Sequence, residues 1–175
     1  MSDAEDLYPP PLRGVPEPPV LLHRPPHSQQ LSPAPPGAIR LAVATMTKHP
    51  CALETWLCYH RARCGIVAFY LRVEGCSDAD CALLATEPWS ECVHATFAVD
   101  SGATRHLVSQ MDRQASHVQG AIEAAQRAGA THLLHIDDDE LLHLPSGVAS
   151  LHAALHGSAD AADLHVFNLE ALLPS

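Results

Sequence analysis

Four consecutive carboxylates, Asp137-Asp138-Asp139-Glu140, follow the apolar stretch His132-Leu133-Leu134-His135-Ile136 and precede Leu141-Leu142. Like charges this close repel one another and cost stability unless a positive group neutralises them. A divalent cation is the simplest such group, and the cation in turn can hold a phosphate. On an extended segment successive side chains alternate, which puts Asp137 and Asp139 on one side and Asp138 on the other. Alternate residues lie roughly 6–7 Å apart along a strand, so two carboxylates can converge on one ion or its water shell. Mg2+ and Mn2+ prefer oxygen ligands, and commonly take one or two carboxylates plus substrate phosphate. Asp137 and Asp139 are therefore candidate ligands for Mn2+ or Mg2+, which would neutralise charge growing on a departing diphosphate. The competing reading is a solvated acidic turn, because Asp and Glu are ordinary turn and cap residues. The apolar residues on both sides of the run favour the metal.

The run needs elements that position it. Ile39 to Thr45, β-branched and small apolar residues, reads as a buried strand. Pro50 opens a helix on which Leu53, Trp56, Leu57, His60 and Cys64 share one face, and Gly65 stops it. Ile66 to Val73 is a second strand, ending in the turn Glu74-Gly75-Cys76-Ser77-Asp78. A short helix is expected near Asp80 to Thr86, and a third strand, at an edge, over Cys92 to Val99. The longest helix is expected over Arg105 to Ala128, with Leu107, Met111, Ala115, Val118, Ile122 and Ala125 recurring at helical spacing. Gly120 weakens it by about 1 kcal/mol, and Gly129 ends it. Thr131 to Ile136 is a fourth strand with an apolar centre that suggests burial on both faces. A helix from Pro145 or Ser146 to Gly157 follows, with Val148, Leu151 and Leu155 inward, and Leu164 to Leu169 is a fifth strand.

Strands alternating with helices predict an α/β fold with a mostly parallel sheet and helices flanking it. Ligands of such sheets bind beyond the carboxyl ends of the strands. Three polar clusters fall there: Thr45-Met46-Thr47-Lys48, Glu74 to Asp78, and Asp137 to Glu140. Lys48 can meet a phosphate, or simply be solvated. A carboxylate in the Glu74–Asp78 turn can accept a hydrogen bond from a ribose or a base N–H, and is equally compatible with a plain surface turn.

Composition narrows the field. The chain has 175 residues and a formal charge of −10, with only 10 Lys and Arg. Nucleic-acid binding needs clustered basic residues, and none are clustered, so no nucleic-acid partner is expected. Residues 1–38 carry repeated proline pairs and triplets, which suit neither a helix interior nor a strand ladder. They are expected to form a disordered tail before an α/β domain over residues 39–175. No apolar run is long enough for a membrane span. The N-terminus lacks the basic and apolar regions of a signal peptide, so a cytoplasmic location is the default expectation. The 6 cysteines contain no C-x-x-C pair, so they read as small core residues, with one or two disulfides as the alternative. His152 and His156, four apart on a helix, could hold a metal but have no third ligand nearby.

Taken together, the motifs resemble glycosyltransferases of the GT-A fold, most closely the family-2-like and family-92-like branch. Thr45-Met46-Thr47-Lys48 followed by Leu53-Glu54-Thr55-Trp56-Leu57-Cys58-Tyr59-His60 is similar to that branch's T-M-x-K-N-E stretch and E-W-L-x-Y-H helix. Arg113-Gln114 matches an R-Q pair on a later helix, and Asp137-Asp138-Asp139-Glu140-Leu141 matches its D-x-D-E-[FL] element. Order and spacing agree over roughly Ile39 to Leu169. The resemblance implies a GT-A-like, Rossmann-like nucleotide-sugar-binding domain that uses a nucleoside diphosphate sugar and an acceptor of unknown identity. It implies that Asp139 ligates Mn2+ or Mg2+ on the diphosphate, and that Asp137 contacts the ribose or shares the metal. It further implies that Glu74 sits near the nucleoside, and that Thr45 and Lys48 line the donor pocket. His49-Pro50 stand where the family has N-E, Thr55 stands where it has an acid, and the first loop is one residue shorter. The acceptor-binding half that family members carry downstream, with the usual catalytic base, is not placed in this chain, so the domain is expected to be a partial one. The alternative is a nucleotide-binding remnant that transfers nothing. A metal-dependent phosphohydrolase would want a D-x-D-x-[TV] nucleophile, and Leu141 occupies its Thr/Val position.

Overall fold

The computed structural model describes Leu31, residues 35–98 and residues 109–158. Most of the proline-rich segment, the expected helix start at Arg105 and the expected fifth strand lie outside the described residues. The described elements run β1 (Leu41–Lys48), α1 (Leu53–Cys64), β2 (Ala68–Glu74), α2 (Asp78–Ala85), α3 (Trp89–Cys92), β3 (Val93–Ala98), α4 (Gln110–Ala128), β4 (His132–His135) and α5 (Val148–Gly157). All strand pairs are parallel, in the order β3-β2-β1-β4. This is an α/β fold, as the alternation of strand and helix patterns requires. Because β4 joins β1 on the side away from β2, the chain reverses direction across the sheet between β1 and β4. The loops leaving these two strands part there and open a crevice.

Residue size explains which helices cover which face. Along β1 and β2 the large side chains Leu41, Val43, Phe69, Leu71 and Val73 point one way, and Ala42, Ala44, Ala68 and Tyr70 the other. The large set packs against Leu53, Trp56 and Leu57 of α1, Leu84 of α2 and Trp89 of α3, forming the main core. Burying one such side chain contributes about 1.5–3 kcal/mol. The second set, alanine apart from Tyr70, is covered by Ala121 and Ala125 of α4. Helix α1 buries Leu53, Trp56, Leu57, His60 and Cys64, the face its spacing predicts, and ends at Gly65 with φ 68°. That left-handed conformation is one glycine adopts without a Cβ penalty.

Several elements depart from expectation. Strand β1 extends to Lys48 instead of ending at Thr45, because it pairs with β2 as far as Lys48↔Glu74. Helix α4 buries Ala121 and Ala125 but leaves Met111 and Ile122 exposed. An alanine-lined sheet face accepts small residues most closely, and this overrides the stripe of larger ones. Strand β4 is half-buried, not buried on both faces. The one-turn helix α3 has no counterpart among the expected elements. All 6 cysteines are free thiols, but Cys51 and Cys58 are exposed and are not the core residues expected.

Candidate functional site in the crevice between β1 and β4

The acidic run does not continue β4. The strand ends at His135, and the chain then turns: Glu140 N–H donates to the Asp137 carbonyl at 3.2 Å, and Asp137 N–H donates to Glu140 Oε2 at 3.1 Å. The strand-like alternation of Asp137 and Asp139 is therefore not what the chain adopts. A turn lets Glu140 cap the backbone, which a straight continuation would not. Asp138 accepts a hydrogen bond from the Thr47 hydroxyl at the end of β1, which ties the turn across the crevice. Asp137, Asp138 and Asp139 all line one cleft of about 230 Å3. Burial, followed by the neighbouring carboxylates of Glu140 and Asp139, holds the Asp137 carboxyl above its ordinary range. The cleft thus contains a carboxylate that carries its charge at a cost.

Helix α1 holds this turn from behind. Trp56 Nε1 donates to the Glu140 carbonyl at 2.9 Å, and the Tyr59 hydroxyl to the Leu142 carbonyl at 3.0 Å. His60 Nδ1–H donates to its own helix at the Trp56 carbonyl, 2.9 Å, which leaves Nε2 to accept from Leu142 N–H at 3.3 Å. Both ring nitrogens are used, and the imidazole is neutral. Burial lowers its pKa, against the smaller opposing effect of the Trp56 carbonyl. The aromatic residues of the W-L-x-Y-H segment are thus a backbone clamp on the acidic turn, and Leu142 is anchored in the main core.

The facing wall is built by β2 and α4. Glu74, at the end of β2, is buried. Arg113 of α4 clasps it through Nε to Oε1 at 2.9 Å and Nη2 to Oε2 at 3.3 Å, and Arg72 Nε reaches Oε1 at 3.2 Å. Paired, bidentate geometry fixes the guanidinium. Glu74 therefore serves first to hold Arg113 at the cleft. Behind it, His49 has φ 50°, its N–H donates to the Glu74 carbonyl at 3.0 Å, and its Nδ1 donates to the Gly75 carbonyl at 3.0 Å. A Cβ at Gly75 would overlap the His49 ring.

Of the residues expected at the site, Lys48, Glu74, Asp137 and Asp139 line the cleft together. Thr45 does not: it is fully buried, and its hydroxyl has no partner among the described residues. Thr47, two residues on, takes its place, because β1 is longer than the apolar pattern indicates. Arg113 and Thr47 had no role assigned from sequence. The R-Q pair was the available signal for the first, and strand alternation was the signal for the second. Among the described residues no group of three or more His, Cys, Asp or Glu side chains is placed to hold a metal ion, so His152 and His156 gain no third ligand there. A larger, open depression of about 610 Å3 lies between the start of α1 and α2, but its charged lining residues are Glu54 and Asp80. It offers no cation to an anionic ligand.

Fold and cleft together define a parallel α/β protein with a mixed-charge crevice at its topological switch point. No family model, curated protein or solved structure matches the chain.

Proposed function

We propose that the chain binds a nucleoside diphosphate sugar in this crevice and, with Mn2+ or Mg2+, transfers the sugar to an acceptor hydroxyl. The observation that carries the reading is the meeting of Asp137, Asp138 and Asp139 with Lys48 and Arg113 in one cleft at the carboxyl ends of β1, β2 and β4. The donor set suits a hard cation: Asp137 and Asp139 are oxygen ligands with exposed side chains, and Asp137 is charged at a cost that an ion would relieve. Two carboxylates without a third protein ligand match an ion that completes its shell with phosphate and water. When bound, the ion would neutralise charge on the leaving diphosphate.

The remaining roles belong to the chain itself. Lys48 and Arg113 supply positive charge for the diphosphate. Glu74 holds the Arg113 guanidinium in place, and Thr47 fixes Asp138 and so the turn. Trp56, Tyr59 and His60 keep that turn from moving when a ligand binds. Preset dipoles and charges of this kind need no reorganisation at the moment of reaction.

Calorimetry with a panel of nucleoside diphosphate sugars, with and without Mn2+, tests the reading. Metal-dependent binding by the parent chain and its loss in Asp139→Ala are expected. Affinity unchanged by that substitution, or by removing the metal, rejects it. Metal-dependent binding without sugar transfer to any acceptor would leave the narrower reading of a nucleotide-binding module.

A further inference from the structure

We propose that Cys76 and Cys81 form a reversible disulfide that pins the start of α2 to the turn after β2. Their sulfurs lie 2.7 Å apart, and among the described residues no other pair of cysteine sulfurs is in contact. The local backbone enforces this approach. Ser77 is the N-cap of α2 and forms a reciprocal capping box with Asp80. Cys76 stands immediately before the cap, and Cys81 is the fourth residue of the helix. Those are the two positions whose side chains meet when a chain enters a helix through such a cap, and they usually hold an apolar pair. Here both carry a thiol, each half-buried and within reach of a small reagent. The other cysteines differ: Cys51 and Cys58 are exposed, while the buried Cys64 and Cys92 face the carbonyls of Leu142 and Pro88.

The chemistry balances with a small disulfide of the glutathione type as oxidant. The Cys81 sulfur, as thiolate, attacks one sulfur of the reagent, forming a mixed disulfide and releasing one small thiol. Cys76, losing its proton, attacks the Cys81 sulfur and displaces the second small thiol. Two electrons and two protons pass from the pair to the reagent. Burial, then the Cys81 thiol and the carboxylates of Asp80 and Asp78, push the Cys76 thiol up to about 12, and the same disulfide forms if the two sulfurs exchange roles. The second step is intramolecular, at the high effective concentration that contact ensures. The new bond would fix the segment after Gly75, against which His49 packs. None of this depends on what the crevice binds.

The test is peptide mass mapping of the full chain in glutathione buffers stepped from reduced to oxidised. The peptide holding Cys76 and Cys81 should lose two hydrogens, regained with dithiothreitol, while Cys51 and Cys58 take no more than glutathione adducts. In Cys76→Ser, Cys81 should retain a glutathione adduct. The proposal is overturned if both sulfurs in the parent chain remain thiols or stable glutathione adducts in the fully oxidised buffer, or if either pairs with another cysteine.

Discussion

The two faces of the sheet are built on different principles. Toward α1 lie Val43, Phe69, Leu71 and Val73, interlocked with Trp56 and Leu57. Toward α4 lie alanines at one end and, at the other, Arg72 and Glu74 with Arg113 and His117. The first face supplies apolar burial, and through Trp56, Tyr59 and His60 it also holds the acidic turn. The second gains less from burial but delivers charge to the cleft. Stability and site chemistry are thus divided between opposite sides of four strands. The division is possible because alternate residues of one strand face opposite ways.

The sharpest way to break this comparison is to truncate one residue on each face. Trp56→Ala should cost about 3–5 kcal/mol, while Ala121→Gly on α4 should cost about 1 kcal/mol; denaturant titration giving similar losses would erase the distinction. Next in size is Glu74→Gln, which leaves Arg72 and Arg113 without their anion in a site where Arg113 is 19 % exposed. A loss of about 3 kcal/mol is expected, with part recovered on adding Arg113→Met. Gly75→Ala should cost about 1–2 kcal/mol, from the left-handed backbone and the His49 ring; a neutral outcome would show that the His49 contact is dispensable.

Titration separates the faces further. Burial lowers the pKa of His60 on the α1 side and of His94 and His117 on the α4 side, from an ordinary 6.5. The unfolded chain therefore binds protons first as pH falls. Stability should be complete above about pH 6.5 and decline below it. Unfolding curves at stepped pH should show this slope, and replacing His94 and His117 together should flatten it more than replacing His60 alone. The smallest effect should be that of Asp137→Asn. Asp137 is raised, so its folded form prefers the proton and its contribution is lost as pH rises through the folded value. Removing that charge should leave stability at neutral pH unchanged or slightly higher. A clear loss would mean that the carboxylate is a structural acceptor and not a group awaiting a cation.

The sequence by itself determined the alternation of strands and helices, the buried face and glycine stop of α1, and the gathering of Lys48, Glu74 and the aspartates toward the carboxyl ends of the strands. These are local matters: hydrophobic period, cap chemistry and the polar ends of apolar runs. Tertiary structure alone decided the rest. Pairing with β2 carried β1 on to Lys48, burying Thr45 and bringing Thr47 to Asp138. The alanine face selected the side of α4 that turned inward, and with it Arg113. The acidic turn was held against the core because Trp56, some eighty residues earlier, offered a donor to the Glu140 carbonyl, and Tyr59 and His60 a donor and an acceptor to the backbone of Leu142. Contacts between residues so far apart in the chain leave no periodic trace, since each partner looks, in its own segment, like an ordinary core residue.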